Sequence, residues 1–302
     1  MNNLFKSLTS LLLVLGALTF TACGDDDKGI NYGGKDNSGT VTPSSDISSR
    51  METPATLTDG STVTLAHYTT SGSRKVLTYS LEYVKSLYHS RWVAFRFDGD
   101  TRAKNTSRSD EPFTDDPDLS SSLRIGNNGF GWDYNRGHLC ASADRLYNSE
   151  ANQQTFYMSN MSPQLASFNQ GYWITLENLV QRKGRDASFA DTLYVVKGGS
   201  TKAGLIKDYV TRPNGAKVAI PSYYFMALLK IKNGVYSSIG FWLEHKEYGY
   251  TYQNNAPLSV IKEQTVSINR LEELTGIDFF PNLPDSQEET IESQNLPSNW
   301  GM

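Results

Sequence analysis

The stretch 133–182 carries the residues whose types and order are best suited to chemistry. It contains Arg136-Gly137-His138, which supplies a cation, a backbone that a ligand can approach closely, and an imidazole that exchanges a proton near neutral pH. A histidine beside a glycine is more often a structural hydrogen-bonding residue than a base. The triplet alone therefore does not define a site.

A carboxylate follows on a predicted helix. If this helix begins near Asn169, an apolar stripe runs along one of its faces. The stripe consists of Trp173, Leu176 and Val180. Glu177 lies within the stripe, and a buried carboxylate requires a cation or several donors. That cation is either an arginine such as Arg182 or Arg145 in a structural ion pair, or a hydrated metal ion in a functional site.

The spacing of Asn169 and Glu177 bears on the choice of cation. The two residues are eight positions apart, which on a helix is roughly 12 Å along the axis and about 80° around it. Helical side chains lean toward the N-terminus, so Glu177 leans toward Asn169. One ion with its shell of waters could fill the remaining gap. Magnesium suits this arrangement because it prefers oxygen ligands and usually keeps several waters.

The elements that would position these residues are mostly strands. Short apolar runs separated by Gly, Asn and Asp predict strands at 61–65, 92–97, 193–196, 223–231 and 239–243. Helical periodicity predicts helices at 80–88, 171–180 and 267–275, the last ending at Gly276. Because strands dominate, the sequence predicts the α+β class, with a central, mainly antiparallel sheet and flanking helices.

Composition excludes several classes of protein. The chain has 302 residues, of which 38% are hydrophobic and 20% charged, so it is not a coiled coil, a collagen or a wholly disordered chain. Its 2 cysteines and 4 histidines exclude a disulfide framework and a Cys/His zinc cluster. The net charge of −4 belongs to the ends of the chain, so binding to a polyanion would depend on a local Arg/Lys cluster.

The first residues predict export and a lipid anchor. Lys6 precedes an apolar run at 11–18, and small residues precede Cys23. Residues 20–23 resemble a bacterial lipobox, which predicts a signal peptide at 1–22 and a lipid on Cys23. The alternative is an ordinary signal peptide followed by an unmodified cysteine. The apolar run is shorter than the roughly 20 residues that a membrane-spanning helix needs.

The rest of the chain divides into three predicted parts. Residues 23–50 form a flexible tether rich in Asp, Gly and Ser, 51–285 form the globular domain, and 286–302 form an acidic C-terminal tail. The acidic run after Cys23 favours display on the cell surface, although a merely solvated tether has the same composition. We therefore expect an outer-membrane lipoprotein of the cell envelope, with its periplasmic or external orientation left open.

Several ordered motifs together resemble the DNA/RNA non-specific endonucleases, a family of ββα-metal nucleases. The motifs are Arg136-Gly137-His138, Ala143-Asp144-Arg145, Ser159-Asn160-Met161-Ser162-Pro163-Gln164, Phe168-Asn169-Gln170-Gly171, Trp173 and Leu176-Glu177. The resemblance covers about residues 75–285. It implies a ββα-metal catalytic core within 51–285 that hydrolyses DNA and RNA with little sequence preference and leaves 5'-phosphate ends.

The resemblance also implies a role for each site residue. His138 matches the general base, Asn169 the direct Mg²⁺ ligand, and Glu177 the residue that holds metal-bound water, with Mn²⁺ as the alternative ion. Arg136 matches an arginine that binds the phosphates of DNA and RNA. With a looser alignment, Arg108 looks like a second such arginine.

A supporting residue and two departures complete the comparison with the family. Asn160 matches a site asparagine that supports the other site residues. Asn135 stands where the family usually has Asp, from which we expect altered tuning of Arg136 rather than loss of activity. The family often has Arg four residues after the Glu, where this chain has Gln181 with Arg182 next. One step turns a helical side chain by about 100°, so Arg182 is a weak candidate for the phosphate site.

The sequence therefore predicts an exported, lipid-anchored, Mg²⁺-dependent endonuclease. Two alternatives stay open: a non-catalytic surface lipoprotein that binds nucleic acid on a nuclease-like fold, and a narrow phosphodiesterase that acts on small nucleotides. The presence of His138, Asn169 and Glu177 together favours the enzyme. The oligomeric state is left open.

The remaining cysteine and histidines have ordinary interpretations. Cys140 is expected to be a small buried residue rather than a nucleophile, because His138 already has a role and no second cysteine is near. The other histidines lack ligand-type spacing and are expected to lie at the surface or form structural hydrogen bonds. They are His67, His89 and His245.

Overall fold

A computed structural model of the chain describes residues 47–302. The predicted signal peptide, Cys23 and the tether up to residue 46 lie outside the described residues. The strands are β1 (Thr62–Ser71), β2 (Arg74–Val84), β3 (His89–Phe97), β4 (Tyr134–His138), β5 (Met161–Leu165), β6 (Thr192–Gly199), β7 (Ile206–Thr211), β8 (Lys217–Pro221), β9 (Tyr223–Lys232), β10 (Val235–Glu244) and β11 (Thr265–Val266). The α-helices are α1 (Ser149–Gln154), α2 (Ile174–Arg185), α3 (Leu258–Ile261), α4 (Ile268–Thr275) and α5 (Asp285–Glu292).

Seven of these strands form one antiparallel sheet. Their order across the sheet is β1-β2-β3-β6-β9-β10-β11. The short strands β4 and β5 pair in a separate antiparallel hairpin, and α2 follows it in the chain. The prediction of the α+β class, with a mainly antiparallel sheet and a ββα unit, is confirmed. The predicted strands 92–97 and 193–196 lie within β3 and β6, which are neighbours in the sheet.

The helix predicted at 80–88 is wrong, because residues 80–84 belong to β2. Strand β2 lies inside the sheet, where the apolar residues Tyr79, Leu81 and Tyr83 alternate with the buried polar residues Thr78, Ser80 and Glu82. Its polar residue Glu82 is fully buried, where it accepts hydrogen bonds from Arg91 Nη1 at 2.8 Å and Trp92 Nε1 at 2.9 Å. The helical spacing of Leu81, Val84 and Tyr88 is coincidental, because β2 ends at Val84 and residues 85–88 form a turn.

The two faces of the sheet carry separate apolar cores. Phe95 of β3 and Val195 of β6 pack in one core together with Trp173 and Leu176 of the segment around α2. The alternate residues of the same strands pack in the second core. That core contains Trp92, Ala94, Val196, Phe225, Leu271 of α4, Phe279 and Phe280. The helix predicted at 267–275 is confirmed as α4, with Ser267 as its N-cap and Gly276, at a φ of 70°, as its C-cap.

The acidic segment predicted as a C-terminal tail packs against the domain. It contains most of α5 and a short 3-10 turn, Pro297–Trp300. Trp300 is fully buried, and Ser238 Oγ of β10 donates a hydrogen bond of 2.6 Å to the carbonyl of Ile291. Burial of Ile291 and Trp300 thus fixes a segment whose composition is mainly polar. Within residues 47–302, every helix falls short of the length and apolarity that a membrane span requires.

Candidate active site

The hairpin of β4 and β5 presents Arg136 and His138. Gly137 lies between them, opposite Ser162 of β5. A Cβ atom at Gly137 would lie 2.2 Å from Oε1 of Gln164, so only glycine fits without moving that fully buried side chain. The close approach of Gln164 therefore explains the glycine between the two functional side chains.

Asn160 fixes the chain directly after His138. Its Oδ1 accepts the backbone N–H of Cys140 at 2.8 Å, and its Nδ2 donates to the carbonyl oxygens of Cys140 at 2.9 Å and Thr155 at 2.7 Å. The backbone carbonyl of Asn160 also accepts the N–H of Leu139 at 3.0 Å. These contacts agree with the supporting position predicted for Asn160. Cys140 is fully buried and burial raises the pKa of its thiol, which suits a packing residue.

His138 lies between two phenylalanine rings. Its ring centroid is 5.7 Å from that of Phe113 and 5.3 Å from that of Phe156, which it meets edge-on. Its Nε2 is buried and forms no hydrogen bond with any described residue. The ring nitrogen that faces solvent is therefore Nδ1.

Burial and positive charge both keep the His138 imidazole neutral. Burial has the larger effect, and the charges of Arg108, Lys197 and Arg136 add to it, so the pKa of His138 falls to about 3. At neutral pH the ring is therefore unprotonated. The charges of Arg108 and Arg136 also make the surroundings of the ring attractive to an anion.

The two arginines reach His138 by stacking on the same phenylalanine rings. The guanidinium of Arg136 lies 3.8 Å from the centroid of Phe113, and that of Arg108 lies 4.7 Å from the centroid of Phe156. The two rings are themselves 5.2 Å apart. Arg136 Nη1 also donates a hydrogen bond of 2.8 Å to the carbonyl of Asn127. The structure therefore brings together the predicted residues Arg108, Arg136 and His138.

Glu177 faces the site from α2, where 13% of its side chain is exposed. Trp173 Nε1 donates a hydrogen bond of 3.1 Å to its Oε1, and Lys197 Nζ lies 3.8 Å from the same oxygen. Lys197 comes from β6, is fully buried, and pairs with Asp144 at 2.7 Å. The cation beside Glu177 is therefore a lysine.

Neither Arg145 nor Arg182, the arginines that the sequence offered as one alternative, forms an ion pair with Glu177 among the described residues. Arg145 stacks on Phe95 and Phe97 and donates to the carbonyl of Arg96 at 2.9 Å. Arg182 is exposed in the last turn of α2. Lys197 could not be chosen from the sequence, because it reaches Glu177 only once β6 has paired with β3 and β9 in the sheet.

Charge interactions place Glu177 and His138 in one electrostatic environment. Burial raises the pKa of Glu177 to about 7, against the opposing effect of Lys197. Arg108 and Lys197 lower the pKa of Glu177 and also that of His138. Burial alone would lower the pKa of Lys197, but the carboxylates of Asp144 and Glu177 outweigh it and raise the pKa. Lys197 therefore stays protonated between the two carboxylates.

Asn169 lies at the start of the segment that leads into α2. The predicted continuous α-helix from Asn169 is wrong, because Phe168–Trp173 forms a π-helical turn before α2 begins at Ile174. The wider turn accommodates Gly171, where a Cβ atom would lie 2.4 Å from the backbone of Tyr250. Asn169 is half-buried in this turn, on the N-terminal side of Glu177. The axial distance expected from an α-helix therefore does not apply.

A histidine and two aspartates form a further polar cluster, which contacts the turn before Asn160. His67 Nε2 lies 3.0 Å from Asp116 Oδ2, and His67 Nδ1 lies 3.6 Å from Asp118 Oδ2. Their ligand-type atoms lie within 4.8 Å of one another, which is close enough for a metal ion. Asp116 also accepts a hydrogen bond from Ser159 Oγ, so we interpret the group as a support for the turn before Asn160. Nothing in the sequence links these residues, because His67 lies 49 residues before Asp116.

The other two histidines form structural hydrogen bonds, as predicted, and both are buried. His89 Nε2 contacts Ser162 Oγ at 2.6 Å, and His245 Nε2 accepts the N–H of Leu165 at 2.9 Å. Both hydrogen bonds fix residues of β5 in place. Asn135 is half-buried on β4, opposite Gln164.

Comparisons with known proteins agree with one another. A family model described as DNA/RNA non-specific endonuclease matches residues 59–286. The mitochondrial nuclease EXOG of Mus musculus is 28% identical over 238 residues, which cover 72% of this chain but only 59% of the mouse protein. A nuclease of Nostoc sp. is 28% identical over 219 residues, covering 72% of this chain and 76% of that protein. A solved structure of the EndoG/EndoGI complex has a similar fold, with a TM-score of 0.56 at 22% identity, covering 74% of this chain and 89% of that chain.

Proposed function

This chain belongs to the DNA/RNA non-specific endonuclease family, and we propose that it hydrolyses phosphodiester bonds of both polymers and leaves 5'-phosphate ends. One observation carries the proposal. A neutral imidazole with a solvent-facing Nδ1 lies between two phenylalanine rings that each hold a guanidinium. A base next to two fixed cations is the arrangement that attack of water on a phosphodiester requires.

His138 is the general base of the proposed reaction. Its Nδ1 is the ring nitrogen that water can reach, so Nδ1 takes the proton as the water attacks phosphorus. The low pKa of His138 belongs to the site without an anion. A bound phosphodiester would offset the charges of Arg108 and Arg136, which raises the basicity of the imidazole when it is needed.

Arg136 and Arg108 bind the non-bridging phosphate oxygens. Their guanidinium groups are held by Phe113 and Phe156, so little side-chain freedom is lost when an anion binds. The contacts reach the backbone phosphate rather than base edges, so sequence and sugar selectivity should be slight.

The donor set at Asn169 and Glu177 fits a hard divalent cation. Asn169 offers a carboxamide oxygen from a half-buried turn, and Glu177 offers a carboxylate held through Oε1 by Trp173 and Lys197. Oxygen ligands of this kind suit Mg²⁺, with Mn²⁺ as the alternative ion. We propose Asn169 as the direct ligand and Glu177 as a ligand through water. When bound, the ion would stabilise negative charge on the phosphate and on the departing 3'-oxygen.

We also propose export and a lipid anchor on Cys23, on the support of Lys6, the apolar run at 11–18 and the lipobox-like residues 20–23. Radiolabelled palmitate should enter the wild-type protein in bacterial cells and should not enter the Cys23→Ser variant. Labelling of both proteins to the same extent would contradict the anchor.

The nuclease activity is tested by digestion of plasmid DNA and of RNA by the purified protein. We expect degradation of both with Mg²⁺, arrest by EDTA, and 5'-phosphate ends that a ligase can join. Binding of plasmid without cleavage would instead identify a non-catalytic nucleic-acid-binding protein. Cleavage of dinucleotides alone would identify a narrow phosphodiesterase.

A further inference from the structure

An open cavity of about 490 Å³ lies beside the turn that carries Asn169. Its walls come from the residues that flank this turn and from the loop 250–253. They are Ala166, Ser167, Gln170, Tyr250, Thr251, Tyr252 and Gln253. The volume is within the range of small-molecule sites, roughly 300 to 1,000 Å³. None of these residues has a role in the proposed hydrolysis.

The loop that forms one wall is fastened to the π-helical turn. The backbone N–H of Ala256 donates to the carbonyl of Gly171 at 2.8 Å, and Asn255 Nδ2 donates to the carbonyl of Gln170 at 2.9 Å. Asn255 Nδ2 also contacts the carbonyl oxygens of Thr251 at 3.0 Å and Tyr252 at 3.1 Å. The side-chain amide of Asn255 therefore links the two walls of the cavity through hydrogen bonds.

Aromatic contacts with Tyr172 also fix the same loop and the residues that lead into it. Tyr248 stacks on the fully buried Tyr172 with ring centroids 3.9 Å apart and planes within 9°. Tyr250 lies 6.1 Å from Tyr172. Tyr252, at the open side of the cavity, remains 63% exposed. A large ring that is presented to solvent by a fixed loop is suited to stacking on a planar ligand.

We propose that this cavity binds a nucleobase of the nucleotide next to the phosphate that is cleaved. Tyr252 would stack on the base, while the amides of Gln170 and Gln253 can both donate and accept hydrogen bonds at base edges. The cavity includes Ser167 and Gln170, which lie two residues before and one residue after Asn169 in the chain, so the base is assigned to the nucleotide next to the cleaved phosphate. Stacking accepts any base, which agrees with slight sequence selectivity.

This inference rests on the proposed function and names a feature of the substrate that the same site recognises. It predicts a preference for strands whose bases are free to leave a duplex, because a base that is paired and stacked cannot enter the cavity. Stacking on one aromatic side chain is worth about 5- to 150-fold in binding.

The test uses single-stranded oligonucleotides in which every linkage except one is a nuclease-resistant phosphorothioate. The nucleotide on the 5' or the 3' side of the cleavable linkage carries either a base or an abasic residue. Wild-type protein, Tyr252→Ala and Tyr252→Phe are compared by kcat/KM on each substrate. Tyr209→Ala removes another exposed tyrosine, which does not line the cavity, and serves as the matched control.

We expect the wild type to cleave the substrate with a base on one side about 5- to 150-fold faster than its abasic counterpart. Tyr252→Ala should lose this difference, Tyr252→Phe and Tyr209→Ala should keep it, and all four proteins should cleave the abasic substrate equally. Equal rates for wild type with and without a base on both sides, or an unchanged difference in Tyr252→Ala, would overturn the inference. If the wild type cleaves no oligonucleotide at all, the proposed function itself fails.

Discussion

The two halves of the candidate site, the β4–β5 hairpin and the contact between α2 and β6, hold their polar groups in different ways. On the hairpin, His138 has a buried nitrogen without a hydrogen bond, and the neighbouring arginines rest on aromatic rings. At α2 and β6, Glu177 and Asp144 share the ammonium group of Lys197. The hairpin thus presents groups that an external ligand can contact, whereas at α2 and β6 a buried ammonium group holds two carboxylates in place.

The difference indicates that the two halves of the site have different roles. Groups that exchange protons or bind an anion keep hydrogen-bonding atoms unpaired. A buried unpaired polar atom lowers the stability of the fold. Groups that must keep a carboxylate in place are tied to a fixed cation. Variants of the hairpin should therefore affect turnover more than folding, whereas loss of Lys197, which holds both carboxylates, should affect folding most.

The largest effect is expected from His138→Ala. Loss of a positioned base should lower kcat on plasmid DNA and on RNA by roughly 100- to 10,000-fold. The melting temperature should change little, because His138 Nε2 forms no hydrogen bond with the described residues. Equal initial rates of wild type and variant would contradict the mechanism.

Lys197→Met should have the largest effect on stability. It leaves the carboxylates of Asp144 and Glu177 buried without their cation, which should cost about 3 to 5 kcal/mol in the free energy of unfolding. Lys232→Met is the matched control, because it removes a surface pair with Asp191 worth at most about 1 kcal/mol. Urea denaturation of both variants measures the difference. Similar midpoints would show that the buried pair does not stabilise the fold.

His89, which contacts Ser162 of β5, should make the stability of the fold sensitive to acid. Burial lowers the pKa of His89 to about 4, so the unfolded chain binds a proton below pH 6.5 that the folded chain does not. Stability should therefore fall as the pH decreases from 6.5 toward 4, by up to about 1.4 kcal/mol per pH unit from this residue. Urea denaturation at pH 7, 6 and 5 should show a shallower decline for His89→Gln. Parallel declines would exclude His89 as the cause.

The smallest effect is expected from Phe113→Leu. Leucine keeps an apolar contact but removes the aromatic face under Arg136, which is worth about 0.5 to 1 kcal/mol, or roughly a 2- to 5-fold rise in KM for plasmid DNA. Phe189→Leu is the control, since its ring contacts Lys183 and Lys230 and no arginine of the site. An equal change in KM for both variants would argue against a specific role of the ring.

The sequence predicted most of the elements that show regular apolar patterns. Strands within β3, β6, β9 and β10, and helix α4, follow from short-range spacing and capping residues. The end of β2 resembles a helix in sequence because apolar residues of the strand and of the turn at 85–88 happen to have helical spacing. The hairpin of β4 and β5 was not predicted as strands, because its residues are mostly polar.

The candidate site was predicted only where its residues lie in local motifs. His138, Arg136, Asn160 and Glu177 could be chosen from the sequence, and their contacts are consistent with those choices. Phe113, Phe156 and Lys197 could not be chosen, because nothing near them in the sequence marks them. They reach the site through long-range packing, which a motif does not encode.

Gly171 has a mechanical consequence for the molecule. A methyl group there would press on backbone atoms of Tyr250 and Thr251, at 2.4 to 2.7 Å, rather than on a side chain that could rotate away. Any other residue at this position would force the tyrosine loop off the turn that bears Asn169. The absence of a single carbon atom thus lets the backbone of the tyrosine loop lie directly against the turn that bears Asn169.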